Sequence, residues 1–304
     1  DWRVGQQRIS WGKADGLNPT DFFTPHDYTL LQPFEDDQRR SVPAVRADIT
    51  AGEGKILSVV AVPYFSAERQ PMPHDLHVEE RSPNGFHRPQ VGVRFSSTGE
   101  TLDWSVSAFR GYLNSPLLSA NGGGLFHHYA ELNAVGADMA RNFGRWGFRA
   151  EIAWLHPEAA PDTQGIQPQA YMVAGVDHGE DDWNVNLQAV LRYTPGFEEP
   201  TAGDPLRTAA AQQNAINFGQ LRRHQIGFTS RLSGTWMNQT LQGEVLLVHY
   251  LNPGNTLIRP LLTYAISDAN RFTVGAEFYR GPDASFFGQL KRNRTVFLEY
   301  RHFF

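Results

Sequence analysis

Residues 295–304 read Thr-Val-Phe-Leu-Glu-Tyr-Arg-His-Phe-Phe. Val296, Leu298, Tyr300, His302 and Phe304 fall on one face of an extended chain, while Glu299 and Arg301 fall on the other. A period of two is the mark of a β-strand with one apolar face. The segment stops on an aromatic residue.

The same design recurs upstream. From Trp183 to Tyr193, Trp183, Val185, Leu187, Ala189, Leu191 and Tyr193 share one face, opposite Asn184, Asn186, Gln188 and Arg192. Trp146, Phe148, Ala150, Ile152 and Trp154 oppose Arg149 and Glu151 in the same way. About fourteen such segments start near Trp2, Ala44, Lys55, Gln90, Leu102, Tyr129, Trp146, Gln169, Trp183, Arg223, Thr240, Leu257, Phe272 and Thr295. Those near Ala44, Lys55, Tyr129 and Thr240 alternate poorly, and bulges are expected there. Helical periodicity is nearly absent.

The connections alternate in length. Short ones are 51–54, 98–101, 142–145, 178–182, 233–239 and 267–271; long ones are 12–43, 66–89, 114–128, 156–168, 194–222, 252–256 and 281–294. A soluble barrel has no reason to keep one end tight and the other elaborate. A barrel of an outer membrane has short periplasmic turns and long outer loops. Trp104, Trp146, Trp183 and Phe272 then begin strands at the short-turn end, and Trp154, Tyr193 and Phe278 form a second belt toward the long-loop end. Two aromatic belts are what amphipathic rings prefer at the two membrane interfaces, and Phe304 joins the first. The expected fold is therefore all-β: one antiparallel transmembrane β-barrel domain of about fourteen strands over residues 1–304, in the outer membrane of a Gram-negative bacterium.

Composition agrees. The chain has 304 residues, 40% hydrophobic and 19% charged, with no run of ~18 apolar residues for a membrane helix. Cysteine is absent, which removes disulfides, thiolate metal sites and cysteine nucleophiles and suits an oxidising periplasm. A net charge of −5 spread along the chain gives no basic stripe for nucleic acid. Asp1-Trp2-Arg3-Val4 opens without a methionine or an apolar leader, which fits a mature form or a piece lacking its first part.

The stretch Arg3–Tyr28 (RVGQQRISWGKADGLNPTDFFTPHDY) and Arg39–Asp48 (RRSVPAVRAD) resembles a largely uncharacterised family of bacterial outer-membrane barrels that are porin-like or alginate-export-like. The family pattern runs close to RxGRQxxxWG, DGxNPTDxxxPxDY and RRxVPALxAD. Gln6 stands here where Arg is common, and Val45 where Leu is common. The match covers about the first fifty residues. It implies that further strands precede this one, so that the intact barrel has sixteen or more.

Charges on a lipid-facing surface cost ~2–4 kcal/mol for Arg or Lys at mid-membrane. Arg46, Asp48, Arg94, Asp103, Glu131, Arg149, Glu151, Arg192, Arg231, Glu244, Arg259, Glu277, Glu299 and Arg301 are therefore assigned to the lumen. They either set a transverse field across a channel or form a cross-strand ion-pair lattice that stiffens the wall. Their mixed signs argue against strong charge selectivity. The loop Lys13–Tyr28 is dense in turn formers. Folded inward, it would place Lys13, Asp15, Asn18, Asp21, His26 and Asp27 at a constriction; folded outward, the same residues would cap its own turns.

Other chemistry is thin. His127-His128 point opposite ways in extended chain and make a poor chelate, so no metal and no cofactor is expected. The rim pairs His26-Asp27 and His74-Asp75 raise a barrel protease, but the lipase pattern of Ser and His is missing, and no enzyme is expected. Gly122-Gly123-Gly124 lacks the Lys and Ser/Thr of a phosphate loop. Thr208–Gln213 is suited to a short helix. The reading is a porin-like channel for small polar or amphipathic solutes, with a non-conducting structural or assembly barrel as the alternative and an outer-membrane hydrolase a distant third. Expected partners are outer-membrane lipid and lipopolysaccharide, the barrel assembly machinery through the last strand, and further copies of the chain.

Overall fold

The computed structural model describes residues 1–29, 34–71, 77–83, 89–122, 124–158 and 166–303. Its main sheet has fourteen strands, all joined antiparallel. The first seven are β1 (Trp2–Gln7), β2 (Val42–Thr50), β3 (Lys55–Val62), β5 (Gln90–Ser97), β6 (Asp103–Tyr112), β9 (Glu131–Phe143) and β10 (Trp146–Pro157). The others are β11 (Gln169–Glu180), β12 (Trp183–Tyr193), β13 (His224–Trp236), β14 (Leu241–Leu251), β15 (Gly254–Ser267), β16 (Asn270–Arg280) and β17 (Thr295–His302). Each pairs with its neighbour in this sequence; β1 and β17 stand at the two ends of the order, and no ladder joins them among the described residues. Three short strands, β4 (Val78–Arg81), β7 (Leu117–Asn121) and β8 (Gly124–His128), form a separate sheet at the long-loop end. Helices α1 (Glu35–Gln38), α2 (Pro205–Asn217) and α3 (Phe286–Gln289) lie in three of the long connections.

The burial pattern is the reverse of a soluble protein's. Val106, Val135, Ile152, Leu187, Val245, Leu262 and Val274 are exposed, while Ser105, Asp138, Glu151, Asn186, Gln188, Thr229 and Arg259 on the opposite faces are buried. An apolar outer surface over a polar interior suits a sheet whose solvent is lipid. The exposed aromatics include Trp104, Trp146, Trp154, Trp183, Phe272 and Phe278, and Tyr193 is half-buried against His224, with ring centroids 4.9 Å apart. Phe304 lies outside the described residues.

The bulges expected near Ala44, Lys55, Tyr129 and Thr240 are absent: β2, β3, β9 and β14 keep continuous register, and the one shift in the main sheet falls between Ala265 and Ser267 in β15. Poor alternation has another cause in β2, β3 and β14. Their inward positions are themselves apolar (Val42, Ala44, Val60 and Val62 in one core, Leu246, Val248 and Tyr250 in a second), because something apolar lies inside the sheet against them.

Candidate functional site: a loop folded inside the sheet

Against the first core that apolar layer is the β1–β2 connection, here called L1; against the second it includes Phe287 of α3, whose ring lies 6.1 Å from that of Tyr250. In L1, Ile9, Trp11, Phe22 and Phe23 pack on Val42, Ala44, Val60, Val62, Phe109, Leu132, Ala134 and Ala153. Phe23 stands edge-on to Trp11 and Phe109 at 5.1 and 5.0 Å between centroids. The cluster fits because Gly92 lies under it; a Cβ there would come within 2.6 Å of the Phe23 ring. Farther along, Ala14 and Leu17 reach the second core on β11, β12 and β14. L1 therefore spans the interior from one wall to another.

Polar groups fix its course. The buried Glu151 carboxylate accepts from the backbone N–H of Lys13 (2.9 Å), Ala14 (3.1 Å) and Thr20 (2.6 Å), and from the Thr20 hydroxyl (2.8 Å). Gly12 makes this possible: its φ of +102° favours glycine, and an added Cβ would lie 2.5 Å from the Glu151 oxygens. The Gln188 amide accepts from Asp15 N–H (2.9 Å) and donates to its carbonyl (2.7 Å), so one side chain serves a stretch of backbone as a strand would. Lys13 pairs with Asp103 at 3.6 Å, and Arg231 pairs with both Asp15 (2.9 Å) and Glu244 (3.1 Å). At its far end L1 meets the last strand: Asp37 accepts from Arg301 at 2.6 Å, and that guanidinium lies 5.6 Å over Phe34.

Two spaces remain. One of about 440 Å³ is bounded by L1 residues including Lys13, Asp15 and Asn18 and by Arg149, Arg231, Glu244 and Arg259 of the wall. Another of about 510 Å³ lies toward the short turns, among Glu180–Asn184, Glu244 and Thr263. Phe34 lines both. Asp21, His26 and Asp27 border neither. Asp21 is clamped by Arg39, His26 stacks on Tyr28 at 5.6 Å, and Asp27 receives Thr29 and Arg69. They hold the loop's own shape.

Strand phase places Arg46, Asp48, Arg94, Asp103, Arg149, Glu151, Arg192, Arg231, Glu244, Arg259, Glu277, Glu299 and Arg301 on the inner face. Much of this set is paired within the wall, as in Arg46–Asp48 (2.9 Å), Arg94–Asp138 (3.1 Å) and Arg149–Asp177 (3.3 Å). Arg192 lies 4.1 Å over the Tyr171 ring and donates to the Phe218 carbonyl. Glu131 is a correction. It lies four residues from the outward Val135, so it faces out, and it borders a surface recess with Arg110 and Val91.

Over the long-loop end, α2 docks on β7. The fully buried Asn214 accepts from Leu118 N–H (2.8 Å) and donates to its carbonyl (2.9 Å), capping the free edge of the small sheet. Gln220 treats Gln167 in the same way, at 2.9 and 2.7 Å. Asn214→Ala is expected to cost ~1–3 kcal/mol locally and to speed hydrogen exchange at the Leu118 amide. A Leu118 amide that exchanges at the wild-type rate would count against this tether.

Glu68, in the connection after β3, is buried beneath the loops beside Ser115, whose hydroxyl donates to it. Burial pushes its carboxyl up to about 7. The folded form therefore holds a proton that the unfolded chain releases from about pH 4.5 upward. Stability from this group is present below that pH and lost as pH rises to 7. Glu68→Gln is expected to flatten the pH dependence of loop proteolysis in that window, and an unchanged profile would refute the assignment. His127 and His128 contact Glu80 and Ser119 separately, at 3.2 Å each. His74-Asp75 lies outside the described residues.

No family model matches the chain, and no curated protein matches it. Among solved structures it is similar to the outer membrane channel DcaP of Acinetobacter baumannii, with a TM-score of 0.44 and 11% identity over 86% of this chain and 84% of that one.

Proposed function

We propose that the chain is a porin-like channel of a Gram-negative outer membrane, giving small polar solutes a passive route past a constriction made by L1. One observation carries this reading: a polar segment, Lys13–Asn18, is pinned by Glu151, Gln188 and Arg231 inside a sheet that is apolar outside, with open recesses on its short-turn side. A solute crossing there meets Lys13, Arg149, Arg231 and Arg259 together with Asp15 and Glu244. Opposite charges across a narrow path orient dipolar solutes and reject apolar ones. Because the signs are mixed, ion selectivity is expected to be weak.

A non-conducting barrel is the second reading, favoured by the two apolar cores inside the sheet and by α2 over its long-loop end. Planar-bilayer recording separates the two. Folded, pure chain is expected to give discrete conductance steps, and a complete lack of steps would favour the closed barrel. An enzymatic reading draws no support from Asp27, whose carboxylate is taken up by Thr29 and Arg69. The last strand, with Val296, Leu298 and Tyr300 exposed, suits delivery by the barrel assembly machinery.

A further inference from the structure

The bend that leads into β13 carries Arg222 and Arg223, and the strand opens on His224, all three exposed. They border a recess of about 430 Å³ with Phe197, Glu199 and Asn252. Position gives this recess its meaning. His224 pairs in register with Tyr193 and stacks on it, and Tyr193 belongs to the aromatic belt at the long-loop end. Such a belt marks the boundary of the hydrocarbon. The headgroup layer extends roughly 5–7 Å beyond that boundary on each side. A strand rises ~3.3 Å per residue, so Arg223, whose carbonyl continues the β12 pairing, stands one step above the belt within this layer, and Arg222 follows it in the bend beyond.

The backbone at Arg223 and His224 is fixed. Thr194 N–H donates to the Arg223 carbonyl at 2.9 Å, which carries the β12–β13 pairing one residue past the strand. The Asn252 side chain donates to the His224 carbonyl (3.1 Å) and accepts from Ile226 N–H (3.4 Å), tying the top of β13 to the next turn. Two guanidiniums and one carboxylate (Glu199) line the recess and leave it with a net positive charge. Guanidinium is the side chain best matched to phosphate oxygens.

We infer that this recess binds a phosphate of the glycolipid that forms the outer leaflet, with Arg222 and Arg223 on the phosphate and Phe197 against the sugar or acyl boundary. The inference rests on the outer-membrane reading and extends it, because it names the lipid contact and the residues that make it. It is independent of whether the lumen conducts.

Native mass spectrometry of the full chain in detergent tests it, with bisphosphorylated lipid A, monophosphorylated lipid A and inorganic phosphate as probes. Wild type is expected to retain bisphosphorylated lipid A, and Arg222→Gln/Arg223→Gln to retain at least about tenfold less, as for the loss of a charge-assisted pair. Arg207→Gln/Lys291→Gln, with the same loss of charge elsewhere in the outer loops, is expected to match wild type. Inorganic phosphate at the lipid's concentration is expected not to compete, since it lacks the apolar contact. Equal retention by the recess variant and wild type overturns the site, as does equal loss in both double variants. Heat-modifiable gel mobility keeps this distinct from the fold: a chain that runs identically boiled and unboiled sinks the barrel reading and the lipid site together, whereas a heat-modifiable chain with equal retention sinks the site alone.

Discussion

Glu151→Ala is expected to conduct in larger single-channel steps than the wild-type chain, and to lose the resistance of residues 8–29 to proteolysis. The reason is concentration of function in one carboxylate. Four donors from L1 converge on it, and two belong to the fully buried Thr20. Hydrogen bonds to a charged acceptor contribute ~1.5–3 kcal/mol each, and truncation to a methyl removes the acceptor of all four. The N–H groups of Lys13, Ala14 and Thr20 then favour water, and L1 moves off the β10 wall. Glu151→Gln keeps the size but loses charge and one acceptor, so an intermediate conductance is expected. Steps of wild-type size in Glu151→Ala would mean that L1 does not limit the current.

Phe23→Ala is expected to destabilise the inner core by ~3–5 kcal/mol, as for other large buried aromatic truncations. Phe23 is 1% exposed and stands edge-on to both Trp11 and Phe109 over Gly92. The strands themselves keep their ladders, so the loss belongs to L1 and not to the sheet. Hydrogen exchange separates the two: amides of residues 9–24 should exchange faster while those of β9 and β10 stay protected. Unchanged protection across residues 9–24 would refute the role given to this ring.

The wall was legible from period-two alternation, since most strands carry their own signature of lipid on one side and polar groups on the other. The fourteen segments found by that signature correspond to the fourteen strands of the main sheet. Where alternation weakened, the cause was long-range. Val60 and Val62 face inward and are apolar because Trp11, Phe22 and Phe23 return to cover them from far away in the chain. An inward run of valines was in fact the signal for a loop inside the sheet, and it reads equally well as a bulge.

Glu131 was misplaced for a related reason. Its strand carries Ala134, Gly136, Ala137 and Ala140, and such small residues on both faces leave the phase undecided until Val135 and Asp138 are weighed. The small sheet of β4, β8 and β7 was not foreseen, because it joins segments of separate loops, one pair of them parallel. Helix α2 is longer than the expected Thr208–Gln213. Its start was readable in Asp204, which accepts from Arg207 N–H at 2.9 Å, followed by Pro205 at the first helical position.

The cysteine-free chain allows the most direct test of an L1 constriction. Asp15→Cys places a single thiol where L1 meets Arg231 and Gln188. Open channels in a planar bilayer are then exposed to a bulky thiosulfonate, with mass spectrometry confirming that the thiol has reacted. If L1 lines the route, the current falls in discrete steps as each channel is modified, and a reducing agent restores it. A fully modified thiol with undiminished current would contradict the account.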